Sequence, residues 1–269
     1  MFLMKTVLTI AGSDCSGGAG IQADIKTILA NGAYAMSVIT AMTAQNTLGV
    51  TAVQTSTPQF LAQQLDAVFT DIPPDAVKIG MVFSSDLASV IGERLRRYNA
   101  KNVVLDPVMV ASSGAKLLQP QAVDTLKKEL FPLARVITPN LPEAEALLSK
   151  EITDKTAMET AAKQLSEIFG CAVLLKGGHR SSDADDVLYE QGKLHWFNGK
   201  HISTSNAHGT GCTLSSAIAV FLAEGCDLPT AVQRAKDYVT GALKANFHLG
   251  HGCGPIDHGW KIKKNLSNC

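Results

Sequence analysis

Short apolar runs of strand character alternate with segments of helical period along most of this chain. That alternation restricts the fold more than any other feature. Val7-Leu8-Thr9-Ile10 is a buried-strand run, and Ile21, Ile25, Ile28 and Leu29 then recur at helical spacing until Gly32. Met36 to Ala41 is apolar and partly β-branched. Thr57-Pro58 reads as a helix N-cap followed by proline at the first helical position, with Leu61, Leu65, Val68 and Phe69 on one face. Runs at 76–79, 103–105, 136–138 and 172–175 are further strands. Between them lie helical segments carrying Leu87, Val90, Ile91 and Leu95, then Val123, Leu126 and Leu130, then a short helix from Pro142, then Ala161, Leu165 and Ile168. Such a pattern predicts an α/β fold: a mostly parallel sheet with helices on both faces. Val187-Leu188-Tyr189 and Leu194-His195-Trp196-Phe197, joined across Gly192, break the pattern and read as a small antiparallel hairpin, an edge or a flap. Helices from Leu214 and Pro229 are expected to close the chain. No repeat, low-complexity tract or linker interrupts the sequence, so residues 1–269 read as one domain.

Composition narrows the function classes. Lys plus Arg and Asp plus Glu number 24 each, so the formal net charge is zero, which gives no support for a nucleic-acid partner. Six cysteines stand at 15, 171, 212, 226, 253 and 269 with no C-x-x-C spacing. Free thiols in a reducing compartment follow better than a disulfide framework. The N-terminus lacks a signal-peptide pattern, and no stretch reaches about 18 apolar residues, so a cytoplasmic protein with no membrane partner is expected.

Parallel strands end at one rim of a sheet, and ligands of open α/β sheets bind there. The residues after each strand run are polar or glycine: Gly12-Ser13-Asp14, Gln45-Asn46, Gly80-Met81, Asp106-Pro107-Val108, Pro139-Asn140 and Lys176-Gly177-Gly178. His208-Gly209-Thr210-Gly211-Cys212-Thr213 is the most informative of the rim segments. Two glycines let the backbone bring N–H groups close to a ligand, and the following helix points its positive end at the same place. This makes an anion site, with phosphate its usual occupant. A thiol at the mouth of such a site, Cys212, is expected to have a lowered pKa and to act as base or nucleophile.

The other candidates carry plainer readings beside the functional ones. Gly12 to Gly20 is a second glycine-rich loop entering a helix, but it lacks the Lys-Ser/Thr of a Walker A loop and fits G-x-G-x-x-G poorly. Read alone, it is a strand-to-helix turn. Asp24 reads alone as a first-turn acid that complements the helix dipole. Asp106 and Glu143 end adjacent strand-loop units and suit Mg²⁺, although Glu143 also reads as an N-terminal helix acid and Asp106 as a pre-proline turn residue. Lys176 can reach a phosphate or simply solvent. The Gln45 amide can bond donor and acceptor edges of a small heterocycle, which Met81 and Val108 can sandwich. Taken singly, Met81 and Val108 are core residues. His248, His251, Cys253 and His258 lie among glycines near the C-terminus, where a closing loop reads better than a metal site because the spacing is loose.

Taken together these segments resemble the hydroxymethylpyrimidine/phosphomethylpyrimidine kinases, a ribokinase-like family of thiamine biosynthesis. The resemblance rests on Thr9 to Asp14, Gly20 to Asp24, Thr43-Ala44-Gln45-Asn46-Thr47, Lys78 to Met81, Asp106 to Met109, Thr138 to Glu145, Leu175 to His179, His208 to Cys212 and the tail around Gly250 to His258. It implies a three-layer α/β/α fold and a homodimer. It implies ATP as co-substrate, Mg²⁺ and, as a further candidate, a monovalent cation. Gln45 would bind the aminopyrimidine, with Asp24, Met81 and Val108 near the ring and Gly12 and Ala19 in the adjoining loop. Asp106 and Glu143 would serve the Mg-phosphate end with Asn140 close by. Lys176 and Thr210 would contact the nucleotide phosphates, and Gly209, Thr210 and Gly211 would form the anion hole beside Cys212. Sugar kinases of the superfamily carry Asp at that last position, so Cys212 favours the vitamin-kinase branch. A pyridoxal or pyridoxine kinase, acting alone or bifunctionally, is the alternative. A nicotinamide-dependent oxidoreductase is disfavoured by the missing ribose-binding acid, and a non-catalytic binding domain by the gathering of Lys176, Asp106, Glu143 and Cys212 at one rim.

Overall fold

The computed structural model describes residues 4–109, 120–178, 184–246 and 248–266. Their strands form a nine-stranded sheet in the order β3-β2-β1-β4-β5-β6-β7-β8-β9. The strands are β1 (Thr6–Asp14), β2 (Tyr34–Asn46), β3 (Gly49–Thr55), β4 (Ala76–Ile79), β5 (Val103–Leu105), β6 (Val136–Ile137), β7 (Ala172–Leu175), β8 (Asp186–Glu190) and β9 (Lys193–Phe197). Pairings from β2 through β7 are parallel, whereas β3, β8 and β9 are joined to the sheet by antiparallel ones. The β8–β9 pair is the hairpin expected across Gly192.

The helices are α1 (Gly20–Ala30), α2 (Pro58–Asp71), α3 (Ser85–Arg97), α4 (Pro120–Thr125), α5 (Leu141–Leu148), α6 (Lys155–Phe169), α7 (Thr210–Ala223), α8 (Leu228–Lys244) and α9 (Trp260–Leu266). Strand side chains alternate between two cores. Leu8, Ile10, Val77, Ile79 and Leu105 pack with Leu61, Leu65, Leu87 and Ile91 of α2 and α3. Val7, Ala76, Val104 and Val136 pack with Ile28 of α1, Ala217 and Phe221 of α7 and Tyr238 of α8. Both faces are thus covered, and the central strands are mostly apolar because neither face meets water, Thr9 and Lys78 being among the buried polar exceptions. Thr57 caps α2 as expected, its hydroxyl accepting from Phe60 N–H at 3.2 Å.

Five features depart from the sequence reading. Strand β3 was not anticipated; its residues are mostly exposed, so no burial periodicity marks them. Strands β1 and β2 run on through Asp14 and Asn46, placing Gln45 within a strand rather than after one. The helix expected around Val123 to Leu130 is α4 followed by a π-type turn, Leu126–Leu130. Helix α9 follows the two helices expected to end the chain. Leu29 and Ile168, placed on apolar helical faces by spacing, are 67% and 62% exposed.

Candidate functional site

A cleft of about 840 Å³ opens at the rim where the parallel strands end. Its walls come from the ends of β1 and β2, from the segments following β1, β4, β5, β6 and β7, and from the start of α7. Gly12, Ala19, Gln45, Met81 and Val108 line one part of it. Asp106, Asn140, Glu143, Lys176 and the Gly209 to Cys212 segment also line it. Thirteen of the fourteen residues singled out from sequence therefore share one cavity, Asp24 being the exception.

The expected anion pocket is a helix N-terminus. Gly209 caps α7 with φ of 84°, and a Cβ there would lie 1.9 Å from Gly18 O, so the position accepts only glycine. First-turn amides of a helix lack partners inside the helix, and here those of Gly211 and Cys212 belong to residues lining the cleft. Thr210 spends its hydroxyl on Ala207 O at 2.6 Å.

Two lysine–aspartate pairs flank this turn. Lys176 Nζ donates to Asp106 Oδ1 at 2.8 Å, and Thr138 Oγ1 donates to the same oxygen at 2.9 Å. Burial works against the Lys176 charge, but Asp106 and Glu143 more than reverse it and hold the ammonium above its ordinary pKa. Glu143 completes a capping box at the start of α5: its carboxylate accepts from Asn140 N–H at 2.8 Å, and Asn140 Oδ1 accepts from Glu143 N–H at 2.8 Å. Burial raises the Glu143 carboxyl to about 7, with Lys176 pulling it down and Asp106 pushing it up. Both plain readings of Glu143, helix cap and cleft acid, hold at once.

Asp24 requires a correction. It is fully buried, accepting from Lys78 Nζ at 2.8 and 2.9 Å, Thr9 Oγ1 at 2.5 Å and Ser216 Oγ at 2.7 Å. Its side chain has no access to a ring in the cleft. Cys212 requires another. Burial pushes the thiol up, with Asp24 and Asp106 adding to the rise and Lys78 opposing it. The expected lowering is absent because the helix terminus does not outweigh desolvation.

Three residues were missed as functional candidates. Lys78 is the buried cation beneath the site, its charge disfavoured by burial but held by Asp24. Asp14 organises the Gly12 to Gly20 loop by accepting from Ser16 N and Oγ, Gly18 N and Ala19 N at 2.8 to 3.1 Å. Burial raises its carboxyl, but the bonds from His208 and Ser16 hold it at about 2. His208 Nε2 lies 3.0 Å from Asp14 Oδ2, and the Gln45 carboxamide sits between His208 Nε2 at 3.3 Å and Thr43 Oγ1 at 3.1 Å. An acid ending a strand before three glycines was the available signal for Asp14; its partner opened the segment already singled out, but nothing local marked its side chain.

The C-terminal histidines do not converge. His248 Nδ1 meets Asn206 Nδ2 at 3.1 Å, while His258 is buried against Thr213 and held near 4 by burial. Among the described residues no group of three His, Cys, Asp or Glu is arranged to hold a metal ion. The tail closes over the site instead: Cys253 N–H donates to Thr47 O at 3.0 Å and His208 N–H to Gly254 O at 3.0 Å. His179, at the end of the Lys176 motif, lies outside the described residues. No helix among the described residues is long and apolar enough to cross a membrane.

The phosphomethylpyrimidine kinase family profile matches residues 14–257. The hydroxymethylpyrimidine/phosphomethylpyrimidine kinase of Escherichia coli is 48% identical over 257 residues, covering 93% of this chain and 96% of that one. The thiamine biosynthesis bifunctional protein of Geobacter sulfurreducens is 50% identical over 96% of this chain, which spans 53% of that longer protein. Among solved structures, the phosphomethylpyrimidine kinase of Clostridium difficile superposes with a TM-score of 0.81 at 46% identity, over 89% of this chain and 99% of that one. A Bacillus subtilis pyridoxal kinase solved as an ADP complex superposes with a TM-score of 0.88 at 36% identity, over 96% and 98%. The three-layer fold is thus the ribokinase-like one, and this chain belongs to the phosphomethylpyrimidine kinase family.

Proposed function

We propose that this protein transfers a phosphoryl group from ATP to the primary hydroxyl of 4-amino-5-hydroxymethyl-2-methylpyrimidine, and then a second one to the monophosphate. The observation that carries this reading is the opening of the α7 N-terminus into the same cleft as Lys176, Asp106, Glu143 and Gln45. Phosphoryl transfer needs alignment and charge neutralisation more than covalent help. The Gly209 to Cys212 turn supplies backbone donors, Lys176 a point charge, and Gln45 a two-sided hydrogen-bonding edge for the ring. Gly12, Ala19, Met81 and Val108 enclose the ring, and Thr210 and Asn140 stand at the nucleotide end.

Mg²⁺ suits the donor set. Asp106 and Glu143 offer hard oxygens in one cavity, and a carboxyl raised to about 7 by burial and a neighbouring acid is one that a dication would return to the ionised form. Bound there, it would neutralise phosphate charge. A monovalent cation at the phosphates belongs to the same reading. So does a homodimer; sedimentation at micromolar concentration tests it.

Cys212 takes the hydroxyl proton in the first transfer. Because burial keeps the thiol protonated, the first transfer should accelerate with rising pH until Cys212 ionises. The phosphate oxygen that attacks in the second transfer is already anionic. Cys212→Ala should therefore lower the first step by about 10²–10⁴-fold and the second far less; equal losses would remove the base role. The deciding experiment incubates the protein with Mg-ATP and the pyrimidine alcohol and follows both phosphates over time. Absence of any ATP-dependent product overturns the reading. The likeness to a pyridoxal kinase favours one second reading, and turnover of pyridoxal beside the pyrimidine separates the two.

A further inference from the structure

Asp14 and His208 stand 194 positions apart in sequence and meet at 3.0 Å on the wall of the cleft. Nothing in the transfer chemistry above uses either. Their arrangement is costly. Asp14 is 2% exposed and His208 7%. A Cβ on Gly18 would lie 2.3 Å from His208 Cδ2, so the loop gives up a side chain to admit the ring. The His208 main chain is pinned on both sides, its N–H donating to Gly254 O at 3.0 Å and its carbonyl accepting from Ile256 N–H at 3.4 Å. A ring held this firmly has a fixed hydrogen-bonding face.

That face determines what Gln45 can do. Asp14 is a carboxylate and can only accept, so His208 Nε2 carries a hydrogen and donates it. The carboxamide is placed with its nitrogen 3.3 Å from that Nε2, which sets two donors against each other; amide ends are assigned from their hydrogen bonds, so we turn the group over and put the Gln45 oxygen there, sharing the one Nε2 hydrogen with Asp14. Thr43 gives the same answer independently. Its one hydroxyl hydrogen goes to Ser13 O at 2.9 Å, since a main-chain carbonyl only accepts. The carboxamide end placed 3.1 Å from Thr43 Oγ1 is the oxygen, which would meet only a lone pair; turned over, the Gln45 nitrogen donates to Thr43 there.

We propose that the Asp14–His208 pair is a positioning device that locks the Gln45 carboxamide with its oxygen toward His208 and its nitrogen toward Thr43, and thereby sets which heteroaromatic edge the cleft accepts. The inference rests on the reading of Gln45 as the ring-binding residue. With the amide locked, one lone pair and one N–H remain for a ligand, in a fixed order. An aminopyrimidine offers an amino donor beside a ring-nitrogen acceptor and matches that order in one sense only. The hydroxymethyl group next to the amino group then has one direction available. A reversed amide would accept the opposite edge and turn the hydroxyl away from the phosphoryl donor.

The test has an arm that needs no turnover. In protein with labelled glutamine, histidine and threonine, the Gln45 side-chain NH₂ should show contacts to the Thr43 methyl and not to the His208 ring, and His208 Nε2 should report as protonated. An NH₂ facing His208, or an unprotonated Nε2, overturns the proposal whether or not the pyrimidine is a substrate. The kinetic arm compares His208→Phe, His208→Gln, Gln45→Ala and the double variant His208→Phe/Gln45→Ala. His208→Phe should raise the pyrimidine KM about tenfold or more while the ATP KM stays within about twofold. His208→Gln, which keeps a donor, should recover part of the loss. The His208→Phe effect should vanish in the Gln45→Ala background. A loss that persists there, or that falls equally on ATP, assigns His208 a purely structural role and overturns the proposal. No turnover of the pyrimidine by the unaltered protein would instead strike the proposed function, leaving the magnetic resonance arm to decide this one.

Discussion

Lys78–Asp24 and Lys176–Asp106 are chemically the same pair with the same 2.8 Å separation, set in different surroundings. Both side chains of the first are 0% exposed, sealed between β1, β4 and α7. In the second, Lys176 keeps 15% of its surface and lines the cleft. Asp24 has all its acceptor positions filled by protein: Lys78, Thr9 and Ser216. It is a fixed charge under the floor of the site. Lys176 holds Asp106 and faces open space, so its remaining donors are available to an anion. A third pair, Lys5–Asp75, has 40% and 37% exposure and serves as the solvated reference. Burial, more than residue type, separates framework from reagent here.

The sharpest break of this comparison is Lys78→Met. It leaves Asp24 charged, dry and without its cation, so unfolding free energy should fall by about 3–5 kcal/mol, read by denaturant titration. Lys78→Met combined with Asp24→Leu should regain much of that loss, because an apolar replacement of both partners removes the desolvation cost. Lys176→Met should show the opposite balance. Its transition midpoint should move little, while kcat should drop about 10²–10³-fold, the usual cost of one preorganised charge donor. A comparable loss of stability in both single variants would erase the distinction.

Glu143 refines the open side. Its carboxyl sits above the ordinary range, at about 7. The folded, ligand-free protein therefore binds a proton that the unfolded chain releases, between the ordinary carboxyl pKa and about 7, and stability falls as pH rises through that window. Mg²⁺ must displace the same proton, so its apparent affinity should weaken about tenfold per pH unit below about 7. Mg²⁺ titration at several pH values checks this, and a flat profile would place the metal elsewhere. The smallest effect belongs to Lys5→Ala, which should cost less than about 1 kcal/mol and fade with salt.

Much of this molecule was legible in its sequence because the signals were local. Runs at 76–79 and 172–175, apolar but for Lys78, marked central strands, since a strand covered on both faces has little polar alternation to obscure it. Gly209 and the apolar turns after it marked a helix start at the rim, because capping geometry depends on neighbours within a turn. Strand β3 escaped because its exposed residues need no pattern, and Leu29 misled because spacing places a residue on a face without saying what covers that face.

Hydrophobic period and glycine conformation act over a few residues, and they were enough to fix the layered architecture and the rim on which polar residues collect. Only the tertiary structure decided that Asp24 serves Lys78 rather than a ligand, that Cys212 is a hindered rather than an activated thiol, and that His208 leans on Asp14. Those outcomes depend on desolvation and on partners 54 and 194 residues away, and neither is a property of a local segment.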